Sequence, residues 1–160
     1  MHLLRSLPLV ELDLAQSAVG DEGVALLRHT TTLEKLNLSH TRAGDGSWPT
    51  LARLPLLHSL DLSGTSFQEF GSAPPSPLTT LVCRAGTVTD RGCRNLAAAA
   101  PALRELRLES RAMSDRGLKA LMGTGQLEVL ELAGCNITTS GLLRYLPRCP
   151  TLWRLELSEC

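Results

Sequence analysis

The chain has 160 residues with 43% hydrophobic and 3% aromatic content, and its sixteen basic and sixteen acidic side chains cancel. That length supports one domain with a real core, while a neutral total gives no field to gather phosphates or an anionic membrane, which sets nucleic acid aside as a primary partner. No apolar run approaches the roughly 18 residues that a bilayer span requires.

The opening stretch, Met1 to Val10, has neither a long apolar block nor a small-residue cleavage site and is expected to be folded structure. Leucine fills 34 of the 160 positions, as a stack of equivalent small layers would require. From Leu9 the pattern L-x-x-L-x-L begins, and it returns at Leu33, Leu57, Leu78, Leu103, Leu127 and Leu152, at intervals of 24, 24, 21, 25, 24 and 25 residues. A fixed period of this length is the mark of a repeat array. Only Cys83 departs from leucine in the three slots of the seven copies, and a thiol fills the same apolar space. The second and third leucines of each copy alternate with outward residues. Leu12 and Leu14, or Leu130 and Leu132, therefore point inward while Asp13 and Glu131 point out. Each unit is expected to open with a short strand, and strands stacked about 4.8 Å apart make a parallel sheet. The bulkier return segments behind it force the sheet to curve.

Four return segments share an apolar residue, a polar turn, a glycine and another apolar residue: Val19 to Val24, Val88 to Cys93, Met113 to Leu118 and Ile137 to Leu142. Thr89, Ser114 and Thr138 are N-cap candidates, and Asp90 and Asp115 suit the positive end of a helix. Leu118, Leu121 and Met122 then form the inner stripe of a short helix. The second unit, with G-D-G-S-W-P from Gly44 to Pro49, and the third, with P-P-S-P from Pro74 to Pro77, break the pattern. Proline fixes the backbone and removes a donor, so extended or 3₁₀ connections are expected there.

The sixth unit, Leu127-x-x-Leu130-x-Leu132-x-x-Cys135-x-Ile137 followed by T-T-S-G-L-L, resembles the cysteine-containing, ribonuclease-inhibitor-like branch of the leucine-rich-repeat superfamily found in the repeat regions of F-box proteins. The resemblance covers essentially the whole chain and implies an α/β solenoid, with a curved parallel sheet on the concave side and short helices and irregular connections on the convex side. In that family the ninth position is Asn or Cys, bonding the backbone inside the turn. Here the column reads Ser17, Thr41, Thr65, Gly86, Arg111, Cys135 and Cys160. Hydroxyls can take the same bond, which leaves the ladder open at Gly86 and Arg111. The array reads as one domain, 1–160, with both ends cut mid-repeat. A longer array, or capping by neighbours on the end layers around Leu3, Leu7, Leu152 and Leu157, is expected.

No catalytic motif is present. His2, His29, His40 and His58 show no paired spacing for a metal, no nucleophile has a nameable base, and no cofactor, metal or small-molecule substrate is expected. Cys83, Cys93, Cys135, Cys149 and Cys160 are odd in number and scattered, which fits packing roles in a reducing, intracellular and cytoplasmic setting. The glycosylation triplets at Asn37 and Asn136 are read as structural, since Asn37 falls within a strand.

The informative surface is the concave face, where nine acids and five bases leave a net charge of minus four. Along its centre run Asp13, Asn37, Asp61, Val82, Arg107, Glu131 and Glu156. Arg84, Arg104 and Arg107 are expected to form a basic spot between acidic ends, with Trp153 beside Arg154 as an interface anchor. These residues, Val82 apart, make the candidate protein-binding site. The leading expectation is a non-catalytic interaction scaffold, a subunit or adaptor of a larger complex. The alternatives are substrate recognition for a ubiquitin ligase, a regulatory or inhibitory module of an enzyme, and a purely structural part of an assembly.

Overall fold

Alternating leucines give each unit one dry face and one wet face, which is the requirement of a strand with one side on a core. The computed structural model describes residues 7–160, so His2 and Leu3 lie outside the described residues. Seven strands follow the leucine pattern: β1 (Glu11–Asp13), β2 (Lys35–Asn37), β3 (Ser59–Asp61), β4 (Thr80–Cys83), β5 (Glu105–Glu109), β6 (Val129–Ala133) and β7 (Arg154–Ser158). They form one sheet in chain order, and every pair is parallel. The register sets equivalent leucines side by side, from Leu12 and Leu36 through Leu60, Leu81 and Leu106 to Leu130 and Leu155. The repeat period thereby becomes a column of like side chains with like slots to fill.

Behind the sheet lie α1 (Asp21–Ala25), α2 (Trp48–Leu51), α3 (Asp90–Ala99), α4 (Asp115–Met122) and α5 (Thr139–Tyr145), with 3₁₀ turns at Leu26–His29, Asp45–Ser47 and Leu146–Arg148. Thr89, Ser114 and Thr138 cap α3, α4 and α5 as expected. Their hydroxyls accept from the N–H groups of Gly92, Arg116 and Gly141 at 3.1, 3.3 and 3.0 Å. The aspartates that follow do more than face the helix dipole. Asp90 accepts from Ser114 N–H and Oγ at 2.7 Å each and from Gly117 N–H at 2.9 Å. Asp115 does the same for Thr138, and Asp21 accepts from Gly44 N–H and Ser47 Oγ. The Ser114 and Thr138 caps are thus each held by the aspartate one repeat earlier, which couples neighbouring layers through charge-assisted bonds, whereas Thr89 N–H donates to the carbonyl of Gln68. A Cβ on Gly117 would lie 2.8 Å from Asp90 Oδ1, and one on Gly46 or Gly141 would collide with Asp21 or Asp115.

The proline-disrupted middle follows expectation in the third unit, where no helix forms between β3 and β4. The second unit differs, since its 3₁₀ turn runs into the single α-helical turn of α2. Pro49 sits in that first turn, where a missing N–H leaves nothing unpaired. Aromatic rings occupy the space that a longer helix would fill. Trp48 and Phe70 meet edge to face at 5.1 Å between centroids, and Phe67 stacks tilted on Phe70 at 5.3 Å, all three buried. The loop is held by Asp45, whose Oδ1 accepts from the N–H groups of Gln68, Glu69 and Phe70 at 3.2, 3.1 and 2.8 Å.

The turn after each strand explains the irregular ninth column. In six units the eighth position is left-handed, with φ between 51° and 66° at Gln16, His40, Gly64, Ala85, Gly134 and Glu159. Ser17 and Thr41 then donate to the carbonyls of Leu14 and Leu38 at 2.6 Å, Thr65 to Leu62, and Cys135 to Ala133. The fifth unit lacks the left-handed residue, so its column shifts by one. Arg111 is exposed, and buried Ser110 turns inward to donate to Val88 O at 2.8 Å. At Gly86 only the backbone takes part, its N–H donating to Glu109 O.

Candidate functional site

The concave face divides into two halves that differ in strand length. β1, β2 and β3 have three residues each and end at Asp13, Asn37 and Asp61. Each of these side chains accepts the N–H two residues on, from Ala15, Ser39 and Ser63, at 2.8, 2.9 and 2.8 Å. Such Asx turns divert an N–H from the sheet ladder and stop the strand. Where Arg107, Glu131 and Glu156 occupy the same position, β5, β6 and β7 run for five residues. Asp13, Asn37 and Asp61 are therefore strand terminators as well as surface polar groups. The sequence signal, Asp or Asn two residues before the turn, was present in all three units.

Asp13 also accepts from Asn37 Nδ2 at 3.3 Å. Lys35 donates to Glu11 at 2.6 Å, a contact that raises the ammonium's pKa from its ordinary value. Asp13 and Asp61 form no ion pair among the described residues, and they border an open trough of about 400 Å³ across β1 to β4.

The C-terminal half is a lattice of ion pairs. The register puts Arg107 beside Glu131, and Glu131 beside Glu156. Glu131 is only 12% exposed and receives three guanidinium groups. Arg84 reaches it at 2.9 Å, and Arg107 and Arg154 at 3.5 Å. Arg107 pairs more closely with Glu105 at 2.7 Å, Arg154 with Glu156 at 2.6 Å, and Arg104 with Glu128. The Glu156 contact, followed by the charges of Glu131 and Glu105, raises the pKa of Arg154. The expected basic spot is thus corrected. Arg84, Arg104 and Arg107 stand where the sequence placed them, but each is neutralised, and Arg84 spans two strands to do so. Trp153 is 72% exposed, next to Arg154 at the start of β7.

Among the described residues no group of His, Cys, Asp and Glu could hold a metal ion, and no helix is long and apolar enough to cross a membrane. Cys83, Cys93, Cys135 and Cys149 are buried free thiols, and Cys160 is exposed. Burial pushes the thiol of Cys83 up to about 12 and that of Cys135 to about 11, which makes these poor nucleophiles.

A leucine-rich-repeat family model matches residues 5–27 and 127–143. The ribonuclease inhibitor of Sus scrofa is 32% identical over 184 aligned positions, which take in 97% of this chain and 40% of that protein. The chain thus spans less than half of that relative's length. Among solved structures, TLR13 in complex with ssRNA13 superposes with a TM-score of 0.61 at 23% identity, covering 99% of this chain and 26% of that one. Internalin C2 from Listeria monocytogenes gives 0.55 at 18% identity, covering 93% and 73%. At such identities the structural matches speak for the fold alone. Leucine-rich-repeat proteins of this kind are generally non-catalytic scaffolds that bind other proteins. Repeat pattern, solenoid fold and the inhibitor match together support assigning the chain to the leucine-rich-repeat superfamily, with its likeness to the ribonuclease-inhibitor-like type.

Proposed function

We propose that this chain is a protein–protein interaction scaffold, an intracellular adaptor or complex subunit, that binds its partner along the concave strands. The observation that carries the reading is the pairing pattern of the concave charges. All five bases are taken up by neighbouring acids, while Asp13 and Asp61 border a trough with no cationic partner among the described residues. A basic protein surface complements that face, and complementary charge speeds and orients docking. Trp153 supplies an exposed aromatic anchor at the far end. The free thiols favour a reducing compartment.

Asn37 already makes the Asx turn with an amide, so Asp13→Asn with Asp61→Asn removes two charges and keeps the turns. Affinity capture from native extract, read by mass spectrometry, should lose a partner with this variant while circular dichroism stays that of the parent. A second variant, Arg84→Glu with Arg107→Glu, disturbs the other half. A partner captured equally by parent and both variants would exclude the concave face.

The inhibitor match supports a second reading, a module that regulates or blocks an enzyme. It differs in that adding the chain must change the turnover of the captured partner.

A further inference from the structure

The concave face holds nine acids against five bases in a chain whose charges balance, so the rest of the molecule carries a surplus of positive charge. On the convex side four of these bases are brought together. Arg94 on α3, Arg116 and Lys119 on α4, and Arg148 in the 3₁₀ turn after α5 line an open groove of about 630 Å³. All four are exposed, and none forms an ion pair among the described residues. The contrast with the concave arginines is complete, since each of those has a carboxylate within 4 Å.

The groove exists because its floor is small. Ala97, Ala120 and Gly123 face outward between the basic rims, leaving a depression where larger side chains would fill the surface. The aspartates nearest in sequence, Asp90 and Asp115, are already engaged in bonds to the next repeat. Unscreened like charges held around a shallow apolar floor raise each other's energy, and an anionic occupant relieves that repulsion.

We propose that this convex groove is a second binding site, distinct from the concave face, for an acidic protein segment that sets small or medium apolar side chains on the Ala97 and Ala120 floor and carboxylates against Arg94, Arg116, Lys119 and Arg148. A peptide is favoured over nucleic acid by what lines the groove. No aromatic ring lines it, so it offers no platform for a base. The nearby Tyr145 lies under the guanidinium groups of Arg144 and Arg148, at 5.9 and 5.3 Å from its centroid.

The test is fluorescence anisotropy of the full chain with a fluorescein-labelled nonapeptide of glutamates bearing a leucine at every third place. Arg94→Glu with Lys119→Glu should weaken binding by about tenfold or more, and added salt should weaken parent binding. The concave variant Asp13→Asn with Asp61→Asn should bind the peptide as the parent does, which separates this site from the concave proposal. Circular dichroism of each variant checks folding, and Arg116→Gln provides a milder change on the same rim. Equal binding by parent and Arg94→Glu/Lys119→Glu overturns the proposal, as does no binding by the parent. Tighter binding of a labelled single-stranded oligonucleotide of similar charge, lost in the same variant, overturns it in favour of nucleic acid.

Discussion

Asp115 and Thr138, one repeat apart, are joined twice: the carboxylate accepts from the threonine N–H at 2.9 Å and from its hydroxyl at 2.6 Å. Thr138 in turn accepts from Gly141 N–H and so starts α5. The relation recurs between Asp90 and Ser114. In a solenoid, stability is a sum of unit terms and nearest-neighbour interfaces, and this bond is an interface term placed at the points where α4 and α5 begin.

Gly141→Ala tests it. The new methyl group collides with the Asp115 carboxylate, and overpacking of this kind costs about 1–3 kcal/mol. Urea titration of Gly141→Ala, Asp115→Ala and the double variant should give a double-variant cost below the sum of the singles, by about 1 kcal/mol. Additive costs would show that the glycine does not answer to the carboxylate.

Asp45 is the second point of leverage, because one carboxylate holds the helix-free loop at Gln68, Glu69 and Phe70. Losing it leaves three N–H donors without their acceptor, and Asp45→Ala is expected to cost about 2–3 kcal/mol. Amide exchange should rise first at residues 68–70. Uniform acceleration across the chain would contradict a local clamp.

Glu131 gathers Arg84, Arg107 and Arg154 while only 12% exposed. Glu131→Gln removes the carboxylate shared by the three guanidinium groups, leaving Arg107 and Arg154 with Glu105 and Glu156 and Arg84 without its ion pair. The expected loss is about 1–2 kcal/mol in dilute buffer. Because the arginines are solvent-accessible, about 1 M salt should shrink the difference between parent and variant. A loss that salt leaves untouched would mean that packing, not charge, is what Glu131 contributes.

Burial raises the Cys83 thiol from the ordinary 9.0 to about 12, and Cys93 is shifted in the same direction. The unfolded chain then releases protons at a lower pH than the folded one, so this contribution is full below pH 9 and is lost as pH rises toward 12. Urea midpoints across that window should fall less steeply for Cys83→Ala than for the parent. Parallel slopes would show that Cys83 does not control the alkaline limb.

The periodic features were legible in the residues themselves. Leucines at intervals of 21 to 25 residues announce strands in register, and Thr89, Ser114 and Thr138 announce helix starts, because both signals act within a few positions of the chain. The candidate site was legible as a set of outward residues but not as an arrangement. Arg84 and Glu131 are 47 residues apart, and their contact crosses β5 between two layers that only the stacking brings close. The convex groove was not legible at all, since Arg116 and Lys119 lie one helical turn apart but Arg94 and Arg148 join them only once three units are layered.

Sequence alone therefore determined the parallel sheet, its leucine columns, the outward set of concave residues and the repeat family, since each follows from side-chain alternation and local capping. Tertiary structure alone decided which charges are spent. It ties Arg84, Arg104 and Arg107 into ion pairs, turns Asp13, Asn37 and Asp61 into strand stops, and leaves Arg94, Arg116, Lys119 and Arg148 without an ion pair among the described residues. The physical reason is range: hydrophobic periodicity is written along the chain, while pairing of charges depends on distances across layers that only stacking sets.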